Sequence, residues 1–224
     1  MPPRVEAALG TDGDRDTLLV TVPGIDMREG DFHARGLVAA VEQHCWPLAI
    51  ATVDPGLDAY LDGSVEARLL DGIDEARRAA GVSRVWLAGI SLGCQGILRC
   101  VRAHPGVAAG LMLLTPYLAS TGLIAEVVRA GGLRRWAAAN RGREQAERAL
   151  LAWLATTPPG ELPPMLVGHA LGDRFATTAV MLAELLPDGC ALSVAGEHDW
   201  TSWQQLWRLM LQRDPFGLAA ASMC

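Results

Sequence analysis

Six short apolar runs, each followed by a longer stretch of helical or turn-rich text, narrow the fold of this chain more than any other feature. The runs fall at about Thr17–Val22, Pro47–Val53, Arg84–Ala88, Gly110–Leu114, Pro164–His169 and Ala191–Ala195. Their near-continuous apolar character suits strands covered on both faces, because a strand with one wet face alternates with period two. Helical stretches lie between them at Phe32–His44, Ser64–Ala80, Leu92–Ala103 and Thr177–Leu186, and after the last at Trp200–Leu211. Gly81 and Pro105 stand where two of these end, as stop signals do. Ser64, followed by Glu66 and Ala67, offers an imperfect capping box at the start of another. Such alternation predicts a doubly wound α/β fold, a mostly parallel sheet of about six to seven strands with helices on both faces. With 224 residues, the chain suffices for one domain of this kind with a continuous core.

One interval breaks the rhythm. About fifty residues separate the fourth run from the fifth, where a crossover needs only about a dozen. The excess reads as a helical cap or lid inserted at about 116–163, ending in the stop signal TPPGELPP. It follows the C-terminal end of a strand, the edge at which open α/β sheets bind ligands.

Composition removes several classes of function. Half the chain is apolar, a fifth is charged, and the net charge is −6. A nucleic-acid partner is not expected, since phosphate binding calls for clustered basic residues. The sequence holds no lysine, which excludes Schiff-base chemistry, a pyridoxal-phosphate lysine and a Walker-type P-loop. No apolar run reaches the ~20 residues of a membrane span, and MPPRVEAALGTDGDRD lacks the apolar region of a secretory signal. The expected location is cytoplasmic, with no membrane partner. Five cysteines show no metal-ligand spacing, and Cys45, Cys94 and Cys190 read as buried free thiols of a reducing compartment.

The densest chemical signal is VWLAGISLGCQG, residues 85–96, in which Gly89-Ile90-Ser91-Leu92-Gly93 joins an apolar strand to a helix. A tight strand-to-helix turn forces its serine into a strained conformation, so the positions two before and two after it must be small. The turn presents the hydroxyl beyond the sheet, beside the electropositive start of the next helix. A base is then needed, and AGEHDW places His198 just past the last strand, on the same sheet edge as Ser91. His33, His44 and His104 fall in or at the ends of helices, and His169 ends the fifth strand, too early for this role. The acid follows by elimination. Asp173, in HALGDRF, lies in the loop after the fifth strand, whereas Thr115-Pro116-Tyr117 after the fourth offers no carboxylate. Asp199 adjoins His198 in sequence, and such a neighbour rarely reaches the second ring nitrogen that must be held. Backbone N–H groups for a developing oxyanion would come from Leu92 and from Ile25 in VPGIDMREG, where Gly24 allows close approach; Asp26 could serve instead.

With Ser91, Asp173 and His198 in that chain order, the sequence resembles the α/β-hydrolase superfamily. The resemblance spans nearly the whole chain, with PGIDMREG in the oxyanion position and the insertion where a cap sits. It departs from the family in two places. Only about sixteen residues precede the first clear strand, so the family's first two strands are short or missing, and the oxyanion segment has Pro-Gly in place of the common His-Gly. The resemblance implies a serine hydrolase that cleaves a carboxylic ester or thioester through an acyl-enzyme, with no metal or organic cofactor and a small-molecule acyl substrate. Substrate-binding candidates are Gly24, Asp26, Tyr117, Arg134 and Arg135. The last two belong to a basic stretch, residues 121–160, with six arginines (129, 134, 135, 141, 143, 148) against three glutamates (126, 144, 147), suited to an anionic acyl donor. Two other classes share the pattern: an acyltransferase with the same machinery, and a non-catalytic binding protein that retains the fold.

Overall fold

A computed structural model describes residues 4–8, 16–28, 30–139 and 145–218. The elements run in the order β1 (Arg4–Ala8), β2 (Thr17–Val22), α1 (Asp31–Ala34), α2 (Leu37–Glu42), β3 (Leu48–Asp54), α3 (Leu57–Asp62), α4 (Val65–Ala80), β4 (Arg84–Ile90) and α5 (Leu92–Ala103). They continue with β5 (Gly110–Leu114), α6 (Thr121–Arg129), α7 (Leu133–Ala139), α8 (Ala146–Thr156), β6 (Met165–Ala170), α9 (Ala176–Ala183), β7 (Ala191–Val194) and α10 (Trp200–Leu211). The seven strands form one sheet in the order β1-β3-β2-β4-β5-β6-β7. All pairs are parallel except β1 with β3, where Arg4 lies opposite Asp54. The short strand ahead of Thr17 is thus present, as an antiparallel edge.

The strand order reverses between β2 and β4, and right-handed crossovers then require the helices on either side of that point to take opposite faces. Side chains alternate accordingly. Leu18, Val20, Val22, Val85 and Leu87 point into one core with α4, α5, α8 and α9. Leu19, Trp86, Ala88 and Ile90 point into the other with α1, α2 and α10. The six sequence runs become strands within a residue or two of their expected limits. β7 differs in character: it is an edge strand with Ala191 and Ser193 exposed, because only one of its faces is covered.

Several local expectations are revised. The helix foreseen at Phe32–His44 is two short helices, split at Gly36, whose φ of 77° no helix accepts. Helix α3 had no clear signature. Ser64 occupies the N-cap of α4 but makes no capping bond; Glu66 instead reaches Arg99 on α5 in a two-pronged ion pair of 2.8 and 3.0 Å. Cys94 and Cys100 are buried free thiols and Cys190 is a half-buried one, whereas Cys45 is disulfide-bonded. Burial, and then Glu66 and Asp74, push the Cys100 thiol up to about 12.

The long interval between β5 and β6 resolves into α6, α7 and α8. Leu150, Leu151 and Leu154 of α8 are buried against the sheet-side core, which makes α8 the crossover helix itself. Leu123, Ile124 and Val127 of α6 and Leu133, Trp136 and Ala137 of α7 join the same core. Arg148 pairs with Glu126 at 2.8 Å and stacks over Trp136. Arg141 and Arg143 lie outside the described residues. Among those described, no helix is long and apolar enough to cross a membrane.

The Arg99–Glu66 pair is nearly dry, with side chains 8% and 18% exposed. Removing one partner of a buried pair typically costs about 3–5 kcal/mol, whereas replacing both by apolar residues can be neutral. Glu66→Ala should therefore lower stability by about 3 kcal/mol, and the double variant Glu66→Leu/Arg99→Met should recover most of it, measured by urea unfolding.

Candidate active site

The reversal point between β2 and β4 is where open α/β sheets leave a crevice at their C-terminal edge. In-register pairing brings Val22 of β2 beside Gly89 of β4, so the loops that follow the two strands must pass each other closely. A Cβ on Gly93 would collide with the carbonyl oxygens of Val22 and Pro23, and one on Gly89 would come within 2.9 Å of the Cys94 nitrogen. This is the physical requirement behind the small residues flanking Ser91. Gly24 is as close from the other side: a Cβ there would lie 3.2 Å from that of Ser91.

Ser91 has φ 53° and ψ −115°, a region that costs a non-glycine residue about 1–3 kcal/mol. The conformation is held by three hydrogen bonds. Its N–H donates to Leu114 O at 3.0 Å, and its carbonyl accepts from the N–H groups of Cys94 and Tyr117, both at 3.1 Å. The Cys94 thiol, beneath the turn, donates to Gly89 O at 3.1 Å. Burial pushes that thiol well above the ordinary range, so it stays protonated.

His198, at the end of the loop after β7, brings its Nε2 to 3.0 Å from Ser91 Oγ and its Nδ1 to 2.8 Å from Asp173 Oδ2. The Asp173 side chain is fully buried, and its other oxygen accepts from the Phe175 N–H at 2.7 Å. Two rings stand edge to face against the imidazole: Phe175 at 5.0 Å and Trp203 at 5.3 Å between centroids. Trp203 is itself anchored, its Nε1–H donating to Thr115 Oγ1 at 2.8 Å. Asp199 is unavailable for this chain of bonds because its carboxylate caps α10, accepting from the Ser202 N–H at 2.9 Å.

No family model matches the sequence, and no curated protein does. Solved structures match along nearly its whole length. An S-formylglutathione hydrolase of Staphylococcus aureus shares 14% identity and a TM-score of 0.64, over 92% of this chain and 83% of that one. A monoacylglycerol lipase of Paleococcus ferrophilus shares 14% and 0.59, over 99% and 100%. An α/β-hydrolase enzyme from the sediment metagenome of the Mar Chica lagoon in Morocco shares 16% and 0.60, over 94% and 95%. This chain has the α/β-hydrolase fold.

Within that fold, the three side chains singled out in the sequence come together from the ends of β4, β6 and β7. Ile25 and Asp26 occupy the middle of a turn closed by the Met27 N–H to Gly24 O, at 3.3 Å. Asp26 is exposed with φ 62°, a conformation that aspartate tolerates. Among the described residues, the N–H groups of Ile25, Asp26 and Leu92 have no hydrogen-bond acceptor. Tyr117 is committed: its hydroxyl donates to Glu147 Oε1 at 3.1 Å and its ring meets Phe175 edge to face. Burial, then Glu147, push that phenol up to about 12. Arg134 and Arg135 are exposed on α7, and no contact among the described residues links them to Ser91. Phe175, Trp203 and Thr115 went unrecognised in the sequence. Phe175 had one signal, its place two residues after Asp173, where an aspartate commonly accepts a backbone N–H.

Thr115 is a buried β-branched residue at φ 43°, so two constraints meet at one position. Thr115→Val keeps the branching but leaves the Trp203 indole N–H buried and unpaired. It should cost about 1–3 kcal/mol in thermal or urea unfolding, and Trp203→Phe should rescue part of that loss.

Proposed function

We propose that this protein is a serine hydrolase acting on a carboxylic ester or thioester through an acyl-enzyme. The observation that carries the reading is the unbroken chain Asp173–His198–Ser91, at 2.8 and 3.0 Å, ending on a serine whose backbone is held in a strained turn.

In the first step Ser91 Oγ adds to the acyl carbonyl carbon while its proton passes to His198 Nε2. Asp173 holds the Nδ1–H, which sets the tautomer with Nε2 free to accept and stabilises the imidazolium that forms. Negative charge gathers on the carbonyl oxygen, where the Leu92 N–H, at the start of α5, and the Ile25 N–H would receive it. The carbon–oxygen or carbon–sulfur bond then breaks, and His198 returns its proton to the departing alcohol or thiol. In the second step His198 takes a proton from water, the hydroxide oxygen adds to the acyl carbon, and Ser91 leaves with the proton. The products are a carboxylic acid and the alcohol or thiol, and neither step requires a metal or an organic cofactor.

A fluorophosphonate probe should label the wild type and leave Ser91→Ala unlabelled; absence of labelling in folded wild-type protein would defeat the proposal. Asp173→Asn should lower kcat for p-nitrophenyl butyrate on the order of 10⁴-fold, because the wrong tautomer is then favoured. Gly24→Ala would push the Ile25 turn away from Ser91. It should reduce kcat on the order of 10²-fold, as loss of one oxyanion donor does, with a smaller change in KM.

A further inference from the structure

A groove runs along the seam between α6 and α9, and Phe175, which stands against the imidazole, lines one end of it. Its near end, of about 370 Å³, is lined by Ile124, Val128, Arg129, Arg174 and Phe175. A second stretch, of about 430 Å³, shares Val128 and continues past Val180 to Glu184. Val128 and Val180 are 54% and 47% exposed, so apolar wall is open to solvent along its length.

Phe175 joins this groove to the site. One face of the relation is its contact with His198; the other is the Arg174 guanidinium, 4.9 Å from its ring centroid. Arg174 and the imidazole thus stand against the same phenyl ring, with centres 4.9 and 5.0 Å from its centroid. Among the described residues neither Arg129 nor Arg174 is in an ion pair, so both guanidinium groups can take an anion. Arg129 donates only its Nε–H, to Ala125 O at 3.2 Å. Two cations outside any ion pair among the described residues, on a chain of net charge −6, therefore line the end of the groove that Phe175 shares with the imidazole. The charged group at the far end, Glu184, repels an anion and confines it to the near end. The lining then sums to one positive charge, which suits a single carboxylate better than a doubly charged phosphate.

We propose that Arg129 and Arg174 form a carboxylate subsite, which holds the free acid of a dicarboxylic half-ester while its ester carbonyl lies at Ser91. The position of the carbonyl rests on the nucleophilic role proposed for Ser91; the subsite does not. This places anion recognition on α6 and the β6–α9 loop, not on Arg134 and Arg135.

Calorimetric titration of the Ser91→Ala protein with monoethyl adipate and with diethyl adipate separates the two ideas. The half-ester should bind about tenfold more tightly, as two partly exposed ion pairs allow, and the preference should weaken with added salt. In Ser91→Ala/Arg129→Gln/Arg174→Gln the ratio should fall to near one. Equal binding of the two ligands, or a preference that survives the arginine substitutions, overturns the subsite. Tighter binding of an analogue with a terminal phosphate overturns the carboxylate assignment. Half-ester binding by a wild type that a fluorophosphonate probe leaves unlabelled supports the subsite and removes the proposed function instead.

Discussion

The structure depends on how closely two chain segments pass where the sheet changes direction. The carbonyls of Val22 and Pro23 lie where any side chain on residue 93 would have to go, and Gly24 lies against Ser91. Only glycine at position 93 lets the β2 loop and the start of α5 share that space, and at position 24 a side chain would crowd Ser91 and the Ile90 carbonyl. Their contact sets the Gly24 turn against Ser91, and among the described residues the N–H groups of Ile25, Asp26 and Leu92 have no acceptor. It also explains the strained backbone at Ser91: the turn must be that tight for α5 to fold back onto β4, and three backbone hydrogen bonds hold it there.

Around this point the polar groups are arranged so that each has one task. Asp173 is fully buried with both oxygens occupied, one by the Phe175 N–H and the other by a single ring nitrogen of His198. Asp199, nearest in sequence to His198, is committed to capping α10. Phe175 and Trp203 confine the imidazole from two sides, and the Thr115 hydroxyl fixes Trp203 in turn. A ring held in this way has little orientational freedom left to lose, which is the preorganisation that the proposed role of His198 asks for.

The region between β5 and β6 has two roles. Helix α8 completes the sheet's cover and belongs to the main core, while α6 and α7 rest on it through Leu123, Val127 and Trp136. Pairing of Arg148 with Glu126 neutralises one of the arginines that made this stretch look uniformly basic. Arg129 and Arg174, the second on the loop that carries Asp173, stay outside any ion pair among the described residues.

The amino-acid sequence alone determined the strands, the serine turn and the three side chains at its centre. Those features are written in local chemistry: apolar runs too continuous for a half-wet strand, glycines spaced around a serine, and polar residues placed just after strands. Tertiary structure decided the rest. The split at Gly36 and the edge character of β7 depend on what covers each segment. The diversion of Glu66 to Arg99 and of Tyr117 to Glu147 depends on partners some thirty residues away. The aromatic walls around His198 come from α10 and the β6–α9 loop, and Arg129 and Arg174 line one groove because α6 and that loop meet there. A single strand or turn carries its own signature, whereas a contact between distant segments exists only once the sheet has brought them within reach.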